Sequence, residues 1–340
     1  MIKRYASSTD VARLAGVSQS AVSRTYRPGA SVSEETRRKV LAAADELGYR
    51  PSRIPQIMLT HRSHLVALVI GGMYNPFYSS VLEAFVARLQ AEGWQPLLVH
   101  VDNDCAFDDV VPTLASYRVD AVVSALAILS DDSVRQLEQL RIPVIAFNAS
   151  SFGDRVVSVS SDNVLAARLV ADHLVARGAR RLGLIAGLVE SSAGRERQAG
   201  FTARAGELGV PVAIQAGGFR YEGGRAATRR LFEGPMAPDG IFAANDLMAL
   251  GAIDALRVDL GLRVPDDVLV AGFDDIPSAS WAAYDLTTVL QDAPRMVDEA
   301  LRVLHSAAEL TTARPGRIVV PPVLIIRGST DRPVAPVQVA

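Results

Sequence analysis

Two hydropathy patterns divide the chain. Up to about residue 50, apolar positions are sparse and recur at helical spacing. Val11, Leu14 and Ala15 form one stripe, with Asp10 placed to cap the helix and Gly16 to end it. Ser18 is placed to cap a second helix that turns Ala21 and Val22 inward. Ser33 is placed to cap a third, with Glu34 and Glu35 in its first turn, Val40, Ala44 and Leu47 as its stripe, and Gly48 as its stop. A helix, a glycine turn and a second helix predict a helix-turn-helix unit. Beyond residue 63, short apolar runs predict strands at Leu65–Ile70, Gln95–Val101, Ala121–Leu126 and Pro143–Phe147. Further runs lie at Val156–Val159, Leu182–Ala186, Gly240–Ala243 and Val268–Gly272. Amphipathic helices are expected between them, among them Phe77–Glu92, Asn163–Arg177, Arg197–Leu208 and Asp246–Leu260. This alternation predicts parallel sheets covered on both faces. Two such units predict a bilobed body that binds in the cleft at the carboxyl ends of its strands.

Charge follows the same division. Residues 1–62 hold eleven Lys or Arg against five Asp or Glu, a balance of +6. The remainder, with 24 basic and 32 acidic residues, carries −8, which leaves the net −2 of the 340-residue chain. A basic front on an acidic body fits a nucleic-acid binder with a separate regulatory body, though a solvated tail would also produce it. The apolar content of 49% excludes a disordered chain. The single cysteine, Cys105, excludes an intramolecular disulfide and a Cys-rich zinc site, so a reducing compartment is expected. The start, MIKRYASSTD, lacks an apolar signal region, and the longest early apolar run, Leu65 to Tyr74, is too short for a membrane span. A soluble cytoplasmic protein without membrane contact is expected. GxxxxGK[ST] and HExxH are absent, and the five histidines show no ligand spacing. No catalytic residue, metal or cofactor is therefore assigned.

On the second predicted helix, Gln19, Ser20 and Arg24 face outward. Gln can bond adenine edges, and Arg can bond guanine or phosphate. Ser18, Ser23, Ser33, Thr36 and Arg37 lie at helix starts or outer faces, where they can grip phosphates. The alternative is a plain three-helix bundle. The ordered set DVARLAGVS (10–18), VSR (22–24), VS (32–33), TR (36–37) and ELGYRP (46–51) resembles the LacI/GalR family of bacterial transcription regulators. The resemblance implies that Gln19, Ser20 and Arg24 enter the major groove. It also implies a hinge helix after Pro51, within SRIPQIMLT at 52–60. Ser52 can cap such a helix, and its two turns are too few to stand alone in water. Where the family carries an alanine and a minor-groove leucine, this chain has Pro55 and Met58. Met58 is long enough to wedge a base step, and Arg53 fits a phosphate or minor-groove role. The alternative is a plain linker.

The body also resembles the family's effector domain, itself similar to periplasmic sugar-binding proteins. The matching pieces are NPFYS (75–79), RERQAGF (195–201), ANDLMALGA (244–252), RVPDDV (263–268) and GFDDIP (272–277). The resemblance implies crossovers near Ser161, Gln291 and Pro321. It divides the chain into a headpiece at 1–51, a hinge and linker at 52–62, a first lobe at 63–161 plus 292–321, and a second at 162–291 plus 322–340. By motif matching and chemistry, Arg197, at a helix start, donates a fork of hydrogen bonds, Asp274 accepts from hydroxyls, and Asn245 does both. Phe77 and Phe219 offer flat faces to a sugar ring or a base, and Asn148 stands where the family often has an aspartate. The alternatives are that Asp274 and Asp275 are helix caps, Phe77 is core, and Arg197 is a surface or lobe-bridging ion pair. One Arg, one Asp and two Asn make a near-neutral site, so a neutral sugar or polyol is expected.

The resulting expectation is an effector-controlled regulator of pseudo-palindromic double-stranded operator DNA, acting most often as a repressor. A sugar-binding module without DNA function and a sugar-active enzyme are the competing readings. The C-terminus, RGSTDRPVAPVQVA, has prolines and no leucine heptad, so a homodimer is expected rather than a coiled-coil tetramer.

Overall fold

The computed structural model describes residues 6–27, 29–51, 62–71, 73–101, 110–125, 131–149, 156–309 and 316–332. The hinge candidates Arg53, Pro55 and Met58, the lone Cys105 and the C-terminal segment 333–340 lie outside the described residues. Two compact units divide at residue 62.

The N-terminal unit contains α1 (Ser8–Ala15), α2 (Gln19–Thr25) and α3 (Glu34–Glu46). Its core is Val11, Ala12, Val22, Val40, Ala43, Ala44 and Tyr49. Ser7, not Asp10, caps α1. Its Oγ accepts from the Asp10 amide at 3.2 Å while its own amide donates to the Asp10 carboxylate at 3.0 Å. A reciprocal box of this kind satisfies two donors of the first turn. Gly16 ends the helix at φ +66°. Leu14 and Leu47, expected inside, are 46% and 37% exposed. With so few buried positions, the small residues Ala12 and Ala43 let the helices approach closely and take those inward places.

The body holds two sheets. The first lobe is a six-stranded parallel sheet in the order β11-β5-β4-β3-β1-β2. Its strands are β1 (Leu65–Ile70), β2 (Gln95–His100), β3 (Ala121–Ser124), β4 (Val144–Phe147), β5 (Val156–Ser161) and, late in the chain, β11 (Gly316–Val320). Helices α4 (Pro76–Ala91), α5 (Val111–Tyr117), α6 (Asp131–Gln139) and α11 (Ala293–Glu309) belong to this lobe. The second lobe contains α7 (Asn163–Ala176), β6 (Leu182–Ala186), α8 (Ser192–Glu207), β7 (Val212–Ala216), α9 (Tyr221–Glu233), β8 (Gly240–Ala243), α10 (Asp246–Asp254) and β9 (Leu269–Ala271). Its strands form a parallel sheet in the order β7-β6-β8-β9. β10 (Thr288–Leu290) and β12 (Val323–Ile325) pair antiparallel, and two single bridges set the β10 end beside β9.

The chain passes between the sheets three times: after β5, after β10, and between β11 and β12. The inner strands β1, β3, β4, β6 and β8 are apolar on both faces because helices cover both, while the edge strands β2, β7 and β11 are partly exposed. One core contains Val66, Phe85 and Phe147 of the first lobe together with Ile241 and Met248 of the second. Separate cores fill the outer faces, around Leu114 and Leu137 in the first lobe and Phe201 and Phe242 in the second. No described helix is long and apolar enough to cross a membrane.

Candidate functional site

Two regions collect the chemistry. On the N-terminal unit, Gln19, Ser20, Ser23 and Arg24 are all exposed on α2. Ser18 caps α2 by accepting from the Ala21 amide at 3.2 Å, and its hydroxyl lies 2.9 Å from that of Ser20. Gln19 donates from Nε2 to the Ser8 hydroxyl at 2.9 Å, which ties the start of α2 to the first turn of α1. Ser33 caps α3 and donates to the Thr36 hydroxyl at 2.8 Å. Arg37 donates to the Thr25 carbonyl at 3.1 Å, closing the C-terminal end of α2. Ser18, Ser33 and Arg37 therefore hold helix ends in place.

In the body, the loops at the carboxyl ends of the strands surround a cleft of about 490 Å³, counting space open to solvent. All six residues selected from sequence line it: Phe77, Asn148, Arg197, Phe219, Asn245 and Asp274. The first lobe adds Tyr74, Asn75 and Tyr78, and the second adds Ser191.

α8 begins at Ser192, capped by Ser191, so Arg197 sits in the second turn and not at the start of the helix as expected. The side chain is 2% exposed. Nε donates to Asn163 at 2.9 Å and Nη1 to the Ala244 carbonyl at 2.6 Å. The guanidinium stacks 3.6 Å from the centre of the Phe273 ring, and Nη1 lies 3.7 Å from Asp274 Oδ1. Burial lowers its pKa, while Asp274, Tyr78 and Asp246 oppose that shift.

Asp274 is a hub and not a helix cap. Asn75 donates to its Oδ2 at 2.9 Å from the first lobe, and Gln291 to its Oδ1 at 2.6 Å from the crossover after β10. Burial raises its pKa against the opposing pull of Arg197, Asn75 and Gln291. Asp275 instead pairs with Arg327 at 2.7 Å. Behind Asp274 lies Asp246, fully buried, which sequence reasoning did not single out. Thr288 donates to its Oδ1 at 2.5 Å and the Ile276 amide to its Oδ2 at 2.9 Å. Burial first, then the charge of Asp274, pushes its pKa up to about 7.

Asn245 caps α10, accepting from the Met248 amide at 3.0 Å and donating to the Phe219 carbonyl at 3.1 Å. Its amide thus already holds two loops of the cleft wall. Phe219 takes φ +62°, a left-handed conformation uncommon for an aromatic residue. Its ring lies on Gly187, where an added Cβ would sit 2.1 Å from the ring edge. Phe77 serves two roles: it is buried in the shared core and lines the cleft floor. Asn148 also has positive φ, and its buried Oδ1 finds no donor among the described residues. A buried acceptor of this kind costs stability unless another group donates to it.

Asn75, Asn163 and Gln291 were missed because each acts through a contact formed only in three dimensions. Asn75 was legible as a helix cap before Pro76, but its bond to Asp274 spans 199 positions. Among the described residues, no group of three or more His, Cys, Asp or Glu is placed to hold a metal ion.

Two family models match the chain. One, described as bacterial regulatory proteins, lacI family, covers residues 9–52, and a periplasmic binding protein-like domain covers residues 171–330. The ribose operon repressor of Escherichia coli (strain K12) is 31% identical over 327 residues, spanning 94% of this chain and 98% of that protein. Among solved structures, the lac repressor dimer bound to operator and the anti-inducer ONPF matches with a TM-score of 0.86 at 27% identity, over 96% of this chain and 99% of that one. The transcriptional regulator CelR–cellobiose complex matches with a TM-score of 0.72 at 31% identity, over 95% and 99%.

Proposed function

The chain belongs to the lacI family of bacterial regulatory proteins, and from that premise we propose that it represses transcription by binding a pseudo-palindromic operator under the control of a small molecule held between its lobes. It is a regulator and not an enzyme. The observation that carries the reading is the union, in one chain, of a basic helix-turn-helix unit with a bilobed cleft, matched end to end by a named repressor. Gln19, Ser20 and Arg24 read base edges. Ser18, Ser23, Ser33, Thr36 and Arg37 contact phosphates, and Arg53, Pro55 and Met58 belong to the hinge. The domain limits at residues 51, 62, 161, 291 and 321 belong to the same reading.

The effector is a neutral sugar or polyol. Arg197, Asp274, Asn148 and Asn245 supply polar contacts, and Phe77 and Phe219 supply flat apolar faces. The partnerless acceptor of Asn148 supports a ligand that donates from a hydroxyl. The named ribose repressor and the cellobiose complex among the matches support a sugar. The Arg197–Asp274 pair neutralises itself, which supports an uncharged ligand. The active species is a cytoplasmic homodimer, whose two headpieces read two half-sites. Tethering turns two weak units into a tight pair. Lobe closure around the effector biases the hinge segments between DNA-bound and free states, with a coupling of about 1–3 kcal/mol.

The test is selection of random duplexes by the full-length chain. Enrichment of an inverted repeat supports the proposal. Enrichment of none overturns it.

A further inference from the structure

We propose that Tyr74 and Arg220 form a latch across the mouth of the cleft that holds the lobes closed. The Arg220 guanidinium lies 4.0 Å from the centre of the Tyr74 ring, within cation–π range. Tyr74 follows β1 of the first lobe. Arg220 precedes α9 of the second.

The sheet order gives the contact its leverage. The three crossovers leave from β5, β10 and the β11–β12 connection. β1 lies three strands from β5 and four from β11, and β7, which leads to Arg220, lies three strands from β9. At the usual strand spacing this puts the pair roughly 15–20 Å from the crossover edge of each sheet. A rotation about the crossovers moves such a distal contact more than it moves contacts beside the hinge. Arg317 to Glu196, for example, joins β11 directly to α8 at 2.8 Å near a crossover.

The neighbouring residues pre-set both halves. Asn75, next to Tyr74, caps α4 and reaches across to Asp274, so the Tyr74 backbone is anchored beside a deeper bond between the lobes. Phe219, next to Arg220, is fixed by its ring against Gly187 and by its carbonyl to Asn245. Ligand-lining residues thus flank both partners of the latch, and movement of either wall changes the cation–π contact. Tyr74 is 40% exposed and Arg220 is exposed, so the contact has access to solvent and breaks without disturbing the core.

The inference deepens the effector-controlled reading, but its test needs neither effector nor DNA, so the two can fail separately. Nitroxides are placed at the exposed Tyr117→Cys and Glu233→Cys positions, one per lobe, in a Cys105→Ser background of the full chain. Labelled protein is diluted with unlabelled protein so that only pairs within one chain contribute, and distances are read by double electron–electron resonance. Tyr74→Leu and Arg220→Gln should each raise the ratio of long to short distances roughly two- to fivefold. Tyr74→Phe, which keeps the ring face, should retain the parent distribution. The double variant should open no further than either single one. Unchanged distributions in both single variants, or a double variant whose effect is the product of the two, would overturn the latch.

Discussion

The Asp274 carboxylate accepts from Asn75 in one lobe and from Gln291 at a crossover, while Arg197 lies 3.7 Å away with a guanidinium almost wholly removed from water. A buried pair of this kind contributes little against an apolar replacement of both members, but losing one member strands the other. Arg197→Met should therefore lower unfolding stability by about 3 kcal/mol or more at neutral pH. Urea denaturation checks this, and a loss under about 1 kcal/mol would show that Asp274 does not depend on the cation. Asp246 gives the opposite kind of signal. Its folded pKa, about 7, lies above the ordinary 3.8, so between these values the native state binds more protons than the unfolded chain. The contribution of Asp246 to stability then falls as pH rises from about 4 to about 7. The groups that act on it are Asp274, Asp275, the Thr288 hydroxyl and the Ile276 amide, and the Arg197 guanidinium also feels its charge. Asp246→Asn should flatten that fall in a pH series of urea midpoints, and an unchanged slope would assign it elsewhere. On the headpiece, Arg24 is exposed in the last turn of α2, and if it reads base edges as proposed, Arg24→Ala should weaken operator binding by roughly 1–3 kcal/mol in fluorescence anisotropy.

Elements differ in how far local sequence determines them. β1, β6 and β8 coincide with their apolar runs because each is buried from end to end apart from half-buried Leu65. The amphipathic pattern of α8 begins at Arg197, yet the helix starts five residues earlier, at Ser192. SSAG has weak helix propensity, but Ser191 caps it and Gly200 packs on the Val164 backbone of α7. The strand pair β10–β12 joins segments about 35 positions apart, a relation that no local pattern carries. The same limit applies to the cleft. Arg197 and Asp274 were legible through their motifs, whereas Asn75 and Gln291 were not, because polar residues in caps and connections look alike until the fold brings them together. Close helix contact gives a direct test. A Cβ at Gly224 in α9 would lie 2.3 Å from the Met248 carbonyl of α10, while one at Gly206 in α8 meets nothing within 4 Å. Gly224→Ala should cost several kcal/mol through backbone displacement, and Gly206→Ala should add about 0.5–1 kcal/mol of helix propensity. Thermal melts of the pair check the contrast.

At the scale of the molecule, separation of charge divides the work. The +6 front segment supplies attraction to phosphate, while the −8 body repels it, and the proposed cleft ligand is neutral. Operator affinity should then fall steeply with salt as counterions are released, whereas binding in the cleft should barely change. The most direct measurement of the central claim joins both ends of the chain. Sugars are screened by thermal shift on the full-length protein, and operator binding is titrated by anisotropy with and without the sugar that raises the melting temperature. The account predicts that this sugar changes operator affinity by roughly 5- to 150-fold. Identical operator isotherms with the cleft filled and empty would contradict it.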